Sequence, residues 1–166
     1  MKTLFLMRHA KSSWQNDLLD DFDRPLNKRG LKAAPFIGRY MRGNNMVPDA
    51  IISSPAMRAK QTAEMVRHSG EFLPVIIFDQ RIYEATAPTL LEIASGLDPQ
   101  AEKALMIGHN PGIEDFLYHL TGERRVISTA CLSVINLNID AWSDILRARA
   151  ALVALIKPKE HMDDES

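Results

Sequence analysis

Short apolar runs alternate with amphipathic stretches along this chain, in the order strand, helix, strand, helix. Residues 3–7 read as a first strand. A helix is expected from about 27 to 42, with Leu31, Ala34, Ile37, Gly38 and Met41 at helical spacing and Pro35 inside it, so a kink or a later start is expected as well. Residues 50–53 form the next run, followed by a helix signalled by Ser54 as N-cap and Pro55 at its first position. Residues 74–78 read as a third strand, and Pro88 opens a helix reaching about Ser95. Residues 104–108 are a fourth strand, after which Asn110-Pro111 again reads as an N-cap followed by proline, with a helix over 112–120. Residues 132–139 alternate as a strand would. Residues 148–156 are ambiguous between a helix, favoured by Ala and Leu, and a closing edge strand before Pro158. The polar stretch 160–166 reads as a frayed tail.

Alternating strands and helices imply an α/β fold: a mostly parallel sheet flanked by helices in three layers, α/β/α. No repeat or linker divides it, so residues 1–159 are expected to form a single domain. The chain has 166 residues, 46% hydrophobic and 25% charged, enough for a sizeable core. A net charge of −1 offers no global attraction to nucleic acid or anionic lipid, so any anion site must be local. One cysteine excludes an intrachain disulfide and suits a reducing compartment. The apolar run at residues 4–7 is broken by Arg8, too early for a signal peptide or a membrane span. A cytoplasmic protein is expected.

The chemistry collects at three strand ends: Arg8-His9, the stretch from Ser53 to Arg58, and Gly108-His109-Asn110-Pro111-Gly112. Ligands of open parallel sheets bind beyond the carboxyl ends of the strands, where helix N-termini favour anions. If these strands are neighbours, Arg8, Arg58, His9 and His109 converge on one crevice. Each taken singly has an ordinary structural explanation, except Arg8, which follows a buried strand and needs a carboxylate or a ligand. Together they suit phosphoryl transfer. Neutral imidazole is a nucleophile near pH 7, arginines grip phosphate oxygens in pairs, and a second histidine can donate to the transferring group. Such a set supplies its own cations, so neither metal nor other cofactor is expected. P-loop and G-x-S-x-G signatures are absent, Cys131 lacks the arginine of a cysteine phosphatase loop and reads as a core thiol, and His68, His119 and His161 lack zinc-like spacing.

Five blocks carry a family resemblance: Met7-Arg8-His9-Ala10-Lys11-Ser12, Arg24-Pro25-Leu26-Asn27-Lys28-Arg29-Gly30, Ser53 through Thr62, Tyr83-Glu84-Ala85, and Gly108-His109-Asn110-Pro111. In this order they resemble the histidine phosphatase superfamily, whose fold is that of the phosphoglycerate mutases, and within it the short SixA-like phosphohistidine phosphatases. The resemblance implies that His9 carries the phosphoryl group and that Arg8, Arg58 and His109 form the phosphate pocket. Glu84 matches the general acid of the mutase branch, and Asp21 is the alternative acid suggested by the short branch. Lys11, Ser12 and Asn27 are implied rim contacts. Ala10 stands where the superfamily usually has glycine, and Gln15 lies near the place of a mutase-like asparagine. Little chain is left to cap the pocket, so an open site is expected. The implied substrate is a phosphohistidine protein. The alternatives are a broad small-molecule phosphomonoesterase and a non-catalytic phosphoprotein-binding module.

Overall fold

A computed structural model describes residues 1–162. Six strands, β1 (Lys2–Arg8), β2 (Ala50–Ser53), β3 (Ile76–Phe78), β4 (Lys103–Gly108), β5 (Leu132–Leu137) and β6 (Ala150–Ile156), form one sheet in the order β3-β2-β4-β1-β5-β6. The β3, β2, β4 and β1 strands run parallel, whereas β5 and β6 close the other side antiparallel. The main helices are α1 (Lys28–Gly43), α2 (Met57–Gly70), α3 (Ala87–Ser95) and α4 (Gly112–Thr121), with a short α5 (Pro158–Met162) after the last strand.

Alternation along the strands builds two apolar layers. Leu4 and Leu6 of β1 face a core shared with Leu90, Ile93, Ile113 and Phe116 from α3 and α4. Phe5 and Met7 face the opposite core, with Ala34, Ile37 and Met41 of α1 and Ala59, Ala63 and Val66 of α2. Covered on both faces, the sheet is the middle layer of an α/β/α sandwich. Residues 150–156 are an edge strand, which resolves the ambiguous segment. Pro35 sits inside α1 without ending it.

Three local expectations need correction. The helix after β2 starts at Met57 with Ala56 as N-cap, because the Ser54 hydroxyl accepts the Ala56 N–H at 3.2 Å in a tight turn instead of capping the helix. The helix after β4 is capped at Pro111, and Asn110 instead donates its side-chain amide to the Ile127 carbonyl at 2.9 Å. Residues 160–162 belong to α5, where His161 lies against the rings of Phe36 and Tyr40. The remainder of the expected tail, residues 163–166, lies outside the described residues.

The loop after β1 is tied to three elements. The His9 N–H reaches the Gly108 carbonyl at 3.0 Å, and the Ala10 N–H reaches Thr62 Oγ1 of α2, also at 3.0 Å. Gly30 lets the first turn of α1 press against the Lys11 backbone, where a Cβ would collide with the Lys11 carbonyl oxygen.

Candidate active site

Parallel pairing aligns Arg8 with Gly108 and Ser53 with Ile107, so the ends of β1, β2 and β4 lie side by side. The segments leaving them line a cavity of about 230 Å³ that includes Arg8, His9, Arg58 and His109. The four residues expected to converge do converge. The ring centroids of His9 and His109 are 5.0 Å apart.

His9 Nδ1 lies 2.7 Å from the Ala10 carbonyl oxygen. A carbonyl can only accept, so Nδ1 carries the ring proton and Nε2 keeps the lone pair of a neutral imidazole. Burial is the main cause that lowers the His9 pKa to about 3, with His109, Arg58 and Arg8 adding to it. His9 is therefore a neutral imidazole throughout the neutral range, with the Nε2 lone pair available.

His109 is fixed from the other side. Its Nε2 lies 2.8 Å from Ser54 Oγ, which already accepts the Ala56 N–H. Among the described residues the Ser54 hydroxyl proton has no other acceptor, so it goes to His109 Nε2 and the ring carries its own proton on Nδ1. That Nδ1 is buried and has no protein partner, which makes it a ready donor. Burial first, and Arg58 next, lower the His109 pKa to about 4.

Arginines surround the histidines. Arg58 donates to the Asp21 carbonyl at 2.7 Å and to the Asp21 carboxylate at 3.0 Å. Arg8 donates to the Ile127 carbonyl at 3.1 Å. Arg24, quoted above only within a motif, is buried and donates to Ser12 Oγ at 2.7 Å, with its guanidinium 3.4 Å from the Trp14 ring. Arg8 Nε, Arg58 Nε and both Arg24 Nε and Nη1 are buried without a hydrogen-bond partner. Burial of guanidinium donors without a hydrogen bond is costly, and here they collect around one cavity beside the Nδ1–H of His109. A tetrahedral oxyanion would satisfy them.

Asp21 lies on this cavity and Glu84 does not. The Asp21 carboxylate accepts the Tyr83 hydroxyl at 2.6 Å, and that bond together with Arg58 lowers its pKa. Burial and the same carboxylate push the Tyr83 hydroxyl up to about 12. Glu84 is exposed and adopts a left-handed backbone with φ of 57°, and the neighbouring Arg81 pairs with Asp79 instead. Lys11 and Ser12 line the cavity. Asn27 does not. Its side chain caps α1 by accepting the Gly30 N–H at 2.9 Å.

Sequence reasoning overlooked Arg24, Tyr83, Ser54 in its contact with His109, Trp14 and Thr129. Arg24 and Tyr83 stood inside quoted motifs, and an arginine immediately before proline in a long loop was the available signal. Cys131 is buried as expected, and burial pushes its thiol pKa up.

An uncharacterised protein of Mycobacterium leprae is 30% identical over 92% of this chain and 100% of its own length. Bacillus subtilis has an uncharacterised phosphatase, PhoE, 33% identical over 48% of this chain and 40% of its own length. A candidate phosphohistidine phosphatase SixA from Nakamurella multipartitia superposes with a TM-score of 0.84 at 25% identity, covering 95% of this chain and 96% of that one. Its counterpart from Agrobacterium tumefaciens gives 0.82 at 26% identity, covering 95% and 98%. The profile of the histidine phosphatase superfamily (branch 1) matches residues 4–95, and the chain belongs to that superfamily.

Proposed function

We propose that this protein is a metal-independent phosphatase that takes the phosphoryl group onto His9 Nε2 and releases it to water. The observation that carries this reading is the pairing of a neutral His9, its Nε2 free, with buried, unpaired donors from Arg8, Arg24, Arg58 and His109. His9 Nε2 attacks phosphorus, the bond to the leaving group breaks, and the arginines and His109 Nδ1–H stabilise the equatorial oxygens as charge shifts among them. A water then attacks phospho-His9, giving up a proton, and the imidazole leaves with its electron pair restored.

Proton transfer is assigned to Asp21, supported by its position on the cavity lining. Ionised, it can accept the proton of the attacking water. When a phosphate dianion enters, like-charge repulsion raises its pKa and favours the protonated form that a leaving group needs.

The favoured substrate is phosphohistidine on a protein, in the cytoplasm. Similarity to the SixA structures supports it, as does the short chain around the site. Imidazole is a fair leaving group once protonated, and the P–N bond is weak. A small phosphomonoester is the second reading, favoured by the cavity of about 230 Å³, which has room for a phosphoryl group with a small substituent. A pure binding module would have no use for a nucleophile held with Nε2 unprotonated. Acid quenching is avoided in the test, because phosphohistidine is acid-labile. Labelled substrate stopped in base should leave label on the wild-type chain and none on His9→Ala, with turnover lost. Unlabelled wild-type protein with normal turnover would overturn the mechanism.

A further inference from the structure

Beside the catalytic cavity lies a larger one of about 830 Å³, and the two share Arg8, Lys11 and Thr129. Its cations are Arg8, Lys11, Arg29, Lys32, Lys157 and Lys159. Among the described residues one carboxylate lines it, Glu160, which is 4.0 Å from Lys157. In a chain of net charge −1, this is a strong local excess of positive charge.

The placement also works against helix stability. A helix N-terminus is the positive end of its dipole and favours acids. The first turn of α1 has no acidic residue and begins Lys28-Arg29, with Lys32 following. Cations kept where acids would stabilise the helix point to an anion that visits them. The six lining cations come from four separate segments: the end of β1, the loop after His9, the start of α1, and Lys157 to Lys159 around α5. Ala33, Pro158 and Met162 add apolar lining between them. Charges spread along a groove with apolar lining suit several spaced carboxylates on a chain segment better than one compact anion.

We infer that this groove receives an acidic segment of the substrate protein, lying next to the phosphohistidine whose phosphoryl group enters the His9 cavity. The inference rests on the phosphohistidine reading above and adds to it a substrate class: phosphohistidine flanked by aspartate and glutamate.

The test uses two short synthetic peptides phosphorylated on a single histidine, one flanked by Asp and Glu and one by Ser and Gln. The acidic peptide should have a kcat/KM at least roughly tenfold higher, a preference that shrinks as salt rises from about 50 to about 300 mM. In the double variant Arg29→Glu, Lys32→Glu the preference should vanish, while hydrolysis of nitrophenyl phosphate stays at the wild-type level. Both changes place acids near the α1 N-terminus, so the variant should melt no lower than wild type, and its melting curve checks this.

Equal kcat/KM for the two peptides overturns the inference and leaves the phosphohistidine reading standing. So does an equal slowing of nitrophenyl phosphate by the double variant, which would mark a long-range field rather than a groove. A preference for fructose 1,6-bisphosphate over fructose 6-phosphate that depends on Arg29 and Lys32, without one for the acidic peptide, would assign the groove to a small dianion and also overturn it. Binding of the unphosphorylated acidic peptide is measured separately by fluorescence anisotropy. If it binds wild type and not the double variant while neither phosphopeptide is hydrolysed, the acidic-segment groove is supported and the phosphohistidine reading fails.

Discussion

Arg58 and Asp21 are joined twice, from Arg58 Nη1 to the Asp21 carbonyl at 2.7 Å and from Nη2 to its carboxylate at 3.0 Å. The backbone bond holds the guanidinium whatever the carboxylate does. The carboxylate bond can then be surrendered to a phosphoryl oxygen without losing the position of the arginine. Charge on Asp21 is thus coupled to occupancy of the site, which suits the proposed role of a base in one step and an acid in another.

Asp21 and Glu84 are separated by leaving-group dependence. A general acid matters most where the leaving group is poor. Asp21→Asn should slow an alkyl phosphate by about a hundredfold and nitrophenyl phosphate much less. Glu84→Gln should change both by less than about twofold, as expected for an exposed side chain outside the cavity. Steady-state rates on the two substrates decide it. The reverse pattern would move the acid to Glu84, whose left-handed backbone would then be strain held for function.

Arg58→Ala should lower turnover by about a hundredfold, the usual cost of one preorganised donor. Arg24→Ala should weaken competitive inhibition by inorganic phosphate by about tenfold, because it removes two buried donors without a hydrogen-bond partner, one of them 3.7 Å from the Asp21 carboxylate. Neither change should lower the melting temperature greatly, since each relieves repulsion among buried cations. Differential scanning calorimetry checks this. Easy unfolding with a fully active folded fraction would make these arginines structural.

The two histidines set the pH behaviour. Their folded pKa values, about 3 for His9 and about 4 for His109, lie below the unfolded value near 6.5. The unfolded chain therefore binds more protons between these limits, and stability falls as pH drops from about 6.5 towards 4, by on the order of a few kcal/mol. Chemical denaturation at pH 7 and pH 4.5 measures it. Over the same range kcat/KM, corrected for ionisation of the substrate, should lack a limb near 6.5. An apparent pKa of 6.5 in that profile would mean that His9 is not desolvated.

Chelation should leave activity intact. Among the described residues no group of three or more His, Cys, Asp or Glu side chains could hold a metal ion. The one carboxylate among the described residues that line the His9 cavity, Asp21, is already bonded to Arg58 and Tyr83. Exhaustive dialysis against a chelator, followed by assay, tests it. Loss of activity restored by one divalent ion would sink the metal-free mechanism.

Much of this site could be read from the chain because His9, Arg58 and His109 follow buried strands closely. Once the strands are taken as parallel neighbours, those residues have to meet. Arg24, Asp21 and Tyr83 arrive on loops, and no local rule says where a loop goes. Here the isolated bridge between Ser12 and Leu26 folds the long loop back, and the Tyr83 hydroxyl finds Asp21 across 62 positions of sequence. Ser54 and Asn110 show a different failure. Their helix-capping signatures were sound locally, but His109 and the Ile127 carbonyl compete for the same polar atoms. The polar run at 160–162 suggested fraying because its packing partners, Phe36 and Tyr40, are far away in sequence.

The stacking of Arg24 on Trp14 gives the molecule an optical reporter. The chain has two tryptophans. Trp142 is 1% exposed and donates its indole N–H to the Ala101 carbonyl at 2.7 Å, so it contributes a steady background. Trp14 is 73% exposed, and its ring lies 3.4 Å from the Arg24 guanidinium. An oxyanion that draws on the unpaired Arg24 nitrogens changes the charge felt by that ring. Occupancy of the catalytic cavity is thereby written into the colour and intensity of one indole, legible in a cuvette without any label.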